Sequence, residues 1–425
     1  MIAILLIVFV ICLLMRFPIA FSLGISCMIF LICNGTNLII MPMKMYSGID
    51  VFVLLSIPGF IIAGNLMNQG GLTSKIIKFC NHLIGHVPGG LALANIGSSM
   101  LFAGISGTAI SDTASIGSVM IPAMKKEGYD ADFACAVTAS SSTVGPIIPP
   151  SVPMIIAATL SGLSVGKLFL AGALPGLLLG VAMLVLTYYI AKKRNYPKYK
   201  RSSFKQIFKG FIDTFWSLLM TFIILFGIIG GVFTPTEASI IAVLYAFLVG
   251  TFVYKRLNFK KTMAILSDAM KTSASLMVLI GFANLFGYIL VSEKVPHEIS
   301  NMILGFSDNK YVVLLLINLL LILVGTFMET IAALLILFPI LLKVALSVDI
   351  DPIHFAIIAL LNLIIGLTTP PLGVCLFVAS GIGKVPLEKV SKANLPYLGI
   401  SFLVLILITL FPQITLFLPD LFMGD

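Results

Sequence analysis

The sequence predicts an all-α polytopic membrane protein built from two inverted repeats, and three observations lead to this fold class. Hydrophobic residues make up 59% of the 425 residues and charged residues only 10%, whereas a soluble domain carries about 25% charged residues. Apolar runs recur along the whole chain, and several approach the roughly 20 residues that a helix needs to cross a bilayer. Matching glycine and proline motifs also recur in the two halves.

The first apolar run, Ile2–Met15, lacks the basic segment and cleavage site of a signal peptide, so we predict a retained helix. Basic residues set the direction of the helices. The net charge is +9, and two basic patches lie at 192–209 and 255–261. Because cytoplasmic loops collect Lys and Arg, both patches are predicted to lie inside, as are five other cations: Arg16, Lys75, Lys78, Lys125 and Lys126. Membrane helices flank the patches and aromatic residues are sparse in them, so we expect the lipid bilayer, and no nucleic acid, as their partner.

Four segments follow the first basic patch, in the predicted order outward span, inward span, interfacial amphipathic helix and outward span: Trp216–Gly230, Ala238–Val253, Phe259–Lys271 and Ser275–Val291. The sequence Thr234-Pro-Thr-Glu237 has the spacing of a capping box with proline at the first helical position, which predicts a helix start. No transition-metal site is expected, because the six cysteines are scattered without a CxxC pair and the four histidines lack ligand spacing.

An internal repeat is visible around rare proline pairs. Four residues recur at the same separation of 221 residues (366 − 145): Gly145, Pro149, Pro150 and Pro175 match Gly366, Pro370, Pro371 and Pro396. Upstream, Asp112 and Pro122 match Glu329 and Pro339 at a separation of 217 (329 − 112). The acidic pair at 130–132 follows inner lysines, whereas its counterpart at 349–351 lies outside on the predicted path. The two halves are therefore predicted to be inverted, which is typical of secondary transporters with a midplane site.

Each half contains a predicted broken helix. Phe133–Val144 has twelve residues, which span only ~18 Å and cannot cross the bilayer. Gly145-Pro146 and Pro149-Pro150 then prevent a continuous helix, as does the counterpart Gly366–Pro371. Unwound backbone at this depth must line a cavity, where carbonyl and hydroxyl oxygens suit an alkali cation and half-helix N-termini suit an anion. The alternative interpretation is a pair of proline kinks that allow close helix packing.

Each half also contains a predicted re-entrant hairpin, with breaks at 104–108 and 325–326. The arms are Leu91–Ala103 and Ala109–Ala123 in the first hairpin, and Val312–Val324 and a segment that reaches Leu342 in the second. Flanking charges place the hairpins on opposite faces, so that their tips meet near the midplane. Acidic residues at such depth are usually functional, yet Glu329 stands three residues after Thr326, the capping-box spacing. For both Asp112 and Glu329 we leave two roles open: capping a half-helix, or contact with substrate or ion.

Four motifs together resemble the large membrane subunit of tripartite ATP-independent periplasmic (TRAP) transporters, the DctM-like members of the ion-transporter superfamily: GISGTAISDTASIG, GYDADFACAVTASSSTVGPIIPPS, FTPTEAS and GLTTPPLG. The resemblance covers nearly the whole chain. It implies an elevator mechanism, Na⁺-coupled import of an organic acid (a C4-dicarboxylate, sialic acid or another sugar acid) and residence in the bacterial inner membrane. It also implies two partners, a periplasmic substrate-binding protein and a small four-helix membrane subunit.

The resemblance also implies site residues. The first Na⁺ site would use Ser106, Gly107, Gly145, Ile148 and Pro149, and the second would use Gly325, Thr326, Gly366, Thr368 and Thr369. Residues expected close to the substrate are Thr108, Asp112, Ser142, Ser151 and Glu329. The implied division is 1–85 scaffold, 86–165 first transport half, 166–305 scaffold with the basic loop and interfacial helix, 306–385 second transport half, and 386–425 C-terminal scaffold helix.

Three other functions are weighed against this one. A stand-alone Na⁺/dicarboxylate or citrate symporter of the same superfamily would need no binding protein. A passive channel would conduct ions without substrate. An intramembrane serine hydrolase would use a serine at 140–142 or Ser151, but a nucleophilic serine needs an adjacent base, and the four histidines map to loops or borders.

Overall fold

The computed structural model describes residues 2–15, 17–106, 108–295, 298 and 309–424, and only the backbone at 104–106. Helices joined by turns and short loops are the only regular secondary structure in these residues. Within these ranges, seven helical segments are long and apolar enough to cross a membrane. Eight further apolar helices are shorter. Five of these lie in the predicted hairpins and broken helices: Gly90–Ala103, Val152–Ser161, Thr330–Leu346, Pro352–Gly366 and Val374–Gly383. The predicted all-α polytopic class is confirmed.

The first half of the chain forms ten α-helices in the described ranges: α1 (Ile2–Leu14), α2 (Ile19–Cys33), α3 (Ile40–Ile49), α4 (Ser56–Gln69), α5 (Leu72–Ile84), α6 (Gly90–Ser106), α7 (Ala109–Lys126), α8 (Ala131–Ser141), α9 (Val152–Ser161) and α10 (Val165–Lys193). The second half contributes α11 (Phe204–Ile229), α12 (Pro235–Leu248), α13 (Phe259–Ser292), α14 (Lys310–Phe327), α15 (Thr330–Leu346), α16 (Pro352–Gly366), α17 (Val374–Gly383), α18 (Leu387–Leu410) and α19 (Gln413–Met423).

The two halves contain the same series of elements. A helical hairpin (α6–α7, α14–α15) precedes a broken helix (α8–α9, α16–α17) and a long helix with an internal proline (α10, α18). One arm of each broken helix is exchanged between the halves. Helix α9 of the first half packs against α15 of the second, and α17 of the second half packs against α7 and α8 of the first. Lys125 Nζ holds this exchange at one end by donating to the Gly383 carbonyl over 2.8 Å. The repeat therefore builds one shared core; its inversion across the membrane stays a prediction.

Helix α10 is attached to the start of the first broken helix. The Arg194 Nη1 and the Tyr196 hydroxyl both donate to Asp130 Oδ2, over 2.8 and 2.6 Å. Hydrogen bonds from Tyr196 and then Arg194 hold the pKa of the exposed Asp130 carboxyl below its usual range. Nearer the N-terminus of α10, Gly172 and Gly176 face Ile147 and Ile148. A Cβ on Gly172 would lie within 2.6 Å of Ile147 and Met154, and a Cβ on Gly176 would lie 2.5 Å from Ile148. Thus α10 covers that break.

Two predictions about the region after the basic loop can be compared with the structure. The capping box at the start of α12 is confirmed, because the Thr234 N–H donates to Glu237 Oε2 over 2.8 Å and the Glu237 N–H donates to Thr234 Oγ1 over 3.3 Å. The prediction of a separate interfacial helix at 259–271 is wrong, since α13 is one helix from Phe259 to Ser292. No glycine or proline lies between Lys271 and Ser275 to interrupt it.

Candidate functional site

The first break is a buried turn between α8 and α9. A short 3₁₀ turn, Ser142–Val144, ends α8, and the chain then passes through the cis Pro149–Pro150 peptide before α9 begins. Ser151 is the N-cap of α9: its hydroxyl donates to the Pro146 carbonyl over 2.5 Å and accepts the Met154 N–H over 3.3 Å. The Ser142 hydroxyl donates to the Thr138 carbonyl over 2.8 Å. The structure therefore gives both serines a local structural contact.

Unpaired oxygens line this turn. The carbonyl oxygens of Gly145, Ile148 and Pro149 accept no hydrogen bond from the part of the chain that the structure describes. Buried carbonyls without a donor are rare, because each carries the full cost of desolvation. Uncharged oxygens at membrane depth are suitable ligands for an alkali cation, so the three predicted backbone positions fit a Na⁺ site chemically.

The second break, between α16 and α17, also contains a cis proline pair, Pro370–Pro371. The hydroxyls of Thr368 and Thr369 both donate to the Ile365 carbonyl, over 3.1 and 2.9 Å. Their oxygen lone pairs remain as acceptors, which again fits an alkali cation. This break differs from the first in exposure, since Pro370, Pro371 and Leu372 are exposed.

The second hairpin contacts the second break directly. A Cβ on Gly366 would lie 2.3 Å from the carbonyl carbon of Gly325, and a Cβ on Gly325 would lie 3.2 Å from the Leu363 Cα. Only glycine allows two backbones to approach this closely. The predicted break at 325–326 is three residues too early, because α14 continues to Phe327 and α15 begins at Thr330. Gly325 and Thr326 therefore lie in the last helical turn, where the carbonyls have no helical partner.

The first hairpin ends beside the first break. Helix α6 continues to Ser106, so the observed break is shorter than the predicted one at 104–108. Gly107 and the side chain of Ser106 lie outside the described residues. Thr108 is the N-cap of α7, in extended conformation. The Ala103 Cα would lie 3.9 Å from a Cβ on Gly145, which places the end of α6 against the turn.

The two matching acids have different environments. Glu329 is itself the N-cap of α15, with Oε2 accepting the N–H groups of Ile331 and Ala332 over 3.0 and 3.2 Å. It therefore caps the helix, although Thr326 is not its capping-box partner, because Thr326 donates to the Leu323 carbonyl. Asp112 is fully buried, and among the described residues neither of its carboxyl oxygens has a hydrogen-bond partner. Contact of either acid with substrate or ion stays a prediction.

Hydroxyl groups near Asp112 are engaged elsewhere. Ser99 and Ser142 lie beside its carboxyl group. However, the Ser99 and Ser141 hydroxyls pair over 3.0 Å, and Ser142 bonds its own helix. Asp112 is thus a buried acid without a fixed partner, next to the first break. Such a group costs free energy of folding in a membrane protein and is typical of a functional position.

Sequence reasoning missed Asn394, which joins the end of α8, just before the first break, to the second break. Asn394 is fully buried on α18; the Ser140 hydroxyl donates to its Oδ1, and its Nδ2 donates to the Thr368 carbonyl over 2.8 Å. One side chain therefore holds the last turn of α8 to the second break. An asparagine inside an apolar helix, two residues before a repeat proline, is the feature that could have revealed it.

In the described part of the site, no serine is hydrogen-bonded to a base and no cluster of metal-ligating side chains is found. The Ser140 hydroxyl bonds to Asn394 and the Ser141 hydroxyl to Ser99. The hydroxyls of Ser142 and Ser151 donate to backbone carbonyls, and none of the four bonds to a described His or Lys. No group of three or more His, Cys, Asp or Glu residues is found among the described residues either.

The family is decided by comparison with known proteins. The profile described as "Tripartite ATP-independent periplasmic transporter, DctM component" matches residues 6–414. The chain belongs to this family. As a TRAP large membrane subunit it is a transport protein, not an enzyme, and a multi-pass protein of the bacterial inner membrane.

Relatives and a solved structure agree with the family. The chain is 44% identical to the sialic acid TRAP transporter large permease protein SiaM of Vibrio cholerae, over 96% of both chains. It is 36% identical to the C4-dicarboxylate TRAP transporter large permease protein DctM of the same species, over 96% of this chain and 95% of that protein. The YdaH transporter of Alcanivorax borkumensis has the same fold, with a TM-score of 0.63, 15% identity, and coverage of 87% of this chain and 86% of that one.

Proposed function

We propose that this TRAP large membrane subunit imports an organic acid, such as sialic acid, another sugar acid or a C4-dicarboxylate, driven by Na⁺. The observation that supports the proposal most directly is the contact of Gly325 with Gly366, which sets a hairpin end, with its free carbonyls, against a break that carries two threonine hydroxyls. The names of the two relatives favour an acid as substrate.

Two Na⁺ ions would be held by the residues named from the sequence. The carbonyls of Gly145, Ile148 and Pro149 would serve the first, and Gly325, Thr326, Thr368 and Thr369 the second. When bound, Na⁺ supplies positive charge that offsets a substrate carboxylate. The chain's own contribution is to hold unpaired oxygens in a dry core, to cap α9 and α15, and to orient their N-termini, which favour an anion.

The elevator division belongs to the same proposal. The hairpins and broken helices would move as one body, because the arms α9 and α17 are exchanged between halves. Contacts of α10 and α18 with the broken helices favour a moving body that includes these two helices. Helices α2, α3, α4, α12 and α13, which pack on one another, would form the scaffold.

A small four-helix membrane subunit and a periplasmic binding protein would complete the transporter. Uptake into proteoliposomes tests this against the stand-alone symporter. We expect accumulation of sialic acid or succinate only when both partners and a Na⁺ gradient are present. Accumulation without the binding protein would favour the symporter instead, and Na⁺ flux without any substrate would favour a channel.

Sodium coupling is tested by Thr369→Val. Loss of one oxygen ligand is expected to raise the Na⁺ concentration for half-maximal uptake about tenfold, because a hydrogen bond or ligand to a charged group contributes about 1.5–3 kcal/mol. Thr409→Val is the matched control, since the Thr409 hydroxyl donates to the Leu405 carbonyl in the same way, far along α18. Unchanged Na⁺ dependence in Thr369→Val would place the second ion elsewhere.

A further inference from the structure

A cavity of about 440 Å³ lies between the proposed scaffold and the proposed moving body. On one side its lining includes Lys44 and Ser47 of α3 and Asn284 and Tyr288 of α13; on the other it includes Thr159 of α9 and Leu335 of α15. Its volume is within the range of about 300–1,000 Å³ that small-molecule sites occupy. Its walls belong to elements that would slide past one another in an elevator movement.

Lys44 brings a positive charge into this cavity. Its Nζ lies 4.2 Å above the centroid of the Tyr288 ring, which holds the ammonium group by a cation–π interaction. Among the described residues it makes no ion pair with a carboxylate. Its charge is therefore not compensated by an acid, so the cavity is suited to an anion.

Asn284 holds α3 on α13, because its Nδ2 donates to the Lys44 carbonyl over 2.7 Å. The Ser47 hydroxyl, on α3 itself, donates to the same carbonyl over 3.1 Å. Gly48 lets the two helices touch, because a Cβ there would lie 2.4 Å from the Asn284 Cβ. Gly287, one turn further along α13, has no atom within 4 Å of its Cβ position, and so it leaves the cavity open.

The predicted topology places this cavity toward the outside. Helix α13 follows the inner basic patch at 255–261, so its last turns, with Tyr288, approach the outer face. Helix α3 lies between α2, which leads outward from Arg16, and α4, which returns to Lys75. The cavity thus lies on the side from which a periplasmic binding protein would deliver its cargo.

We propose that Lys44 and this cavity form an outer vestibule that binds the substrate's carboxylate before the substrate reaches the two breaks. This inference rests on the proposed function and deepens it, because it assigns recognition of the acid group to the scaffold. Opposite charges about 4 Å apart attract enough in water to change affinity about fivefold, and more in a partly dry site. Such an attraction also decreases with ionic strength.

Uptake of sialic acid and of succinate by the complete complex tests the site. Lys44→Gln is expected to raise KM at least about fivefold with kcat nearly unchanged, less so at high salt, whereas Lys44→Arg keeps a low KM. Lys310→Gln is the matched control: Lys310 also lies over a tyrosine ring, at 5.3 Å from Tyr311, but does not line the cavity.

A second pair of variants tests the cavity without changing charge. Gly287→Leu projects into the open space and is expected to raise KM, whereas Gly399→Leu, at an exposed position of α18 with no atom within 4 Å of its Cβ position, leaves KM unchanged. A wild-type KM in both Lys44→Gln and Gly287→Leu would overturn the vestibule and leave the proposed function intact. Loss of co-purified anionic lipid from Lys44→Gln at constant KM would identify a lipid site instead and overturn it too. No uptake by the wild-type complex would refute the proposed function itself, and the vestibule with it.

Discussion

Gly145 and Gly366 precede the two proline pairs at equivalent positions of the repeat, yet the structure surrounds them differently. A Cβ on Gly366 would meet the Gly325 backbone at 2.3 Å, whereas the nearest atom to a Cβ on Gly145 is the Ser142 carbonyl oxygen at 3.3 Å. The first break is almost entirely buried beneath α10, and the second is exposed at 370–372. The repeat has therefore kept the turn while the packing around it has diverged. Each half is expected to respond differently to the same substitution.

Gly366→Ala is expected to have the largest effect. The new methyl group collides with backbone atoms of α14, which cannot rotate away, so the hairpin end has to move. We expect the free energy of unfolding to decrease by about 3 kcal/mol, as in other overpacked cores, and Na⁺-driven uptake to be lost. Thermal unfolding in detergent and proteoliposome uptake measure the two effects.

Gly145→Ala is the matched control for the comparison. Its nearest neighbour leaves nearly enough room, so we expect a loss of less than about 1 kcal/mol and continued uptake. An equal loss of stability and uptake in the two variants would show that the two breaks are packed alike, and would refute the proposed difference between them.

Asn394→Ala is expected to have the next largest effect, because it removes a side chain that bonds the last turn of α8 to the second break. The substitution leaves the Ser140 hydroxyl and the Thr368 carbonyl buried without their partner. We expect unfolding to become easier by about 2 kcal/mol.

A double-mutant cycle of Asn394→Ala with Ser140→Ala isolates one of the two bonds. Strict additivity of the two changes would mean that the Ser140–Asn394 contact contributes nothing to coupling between the halves.

The two acids should give smaller effects than Gly366 and Asn394, with opposite signs. Glu329→Ala removes a helix cap and is expected to lower the free energy of unfolding by about 1 kcal/mol. Asp112→Asn replaces a buried acid that lacks a fixed partner, so it is expected to raise that free energy by about 1 kcal/mol while it slows uptake. Thermal unfolding of both variants and of the wild type measures the two changes. A loss of stability in Asp112→Asn would imply that the native carboxylate has hydrogen-bond partners.

The site could be predicted in part, because its breaks depend on local chemistry. Proline pairs after a glycine interrupt a helix wherever they occur, so both turns were expected from sequence spacing. The hairpin ends were placed less well: α14 continues through Gly325 and Thr326, because a glycine near a helix end does not by itself stop a helix that packs on a neighbour. The prediction of a separate interfacial helix at 259–271 was wrong for a related reason, because charged residues alone do not end a helix.

By itself, the sequence determined that this chain is a membrane protein with a repeated pair of broken helices, because hydropathy, proline and positive charge act over a few neighbouring residues. Tertiary structure alone decided that Asn394 joins the end of α8 to the second break, that Gly325 touches Gly366, and that Lys44 enters a cavity between α3, α9, α13 and α15. Each of these contacts links residues far apart in the chain, and their meeting depends on how whole helices pack. No local pattern encodes that packing.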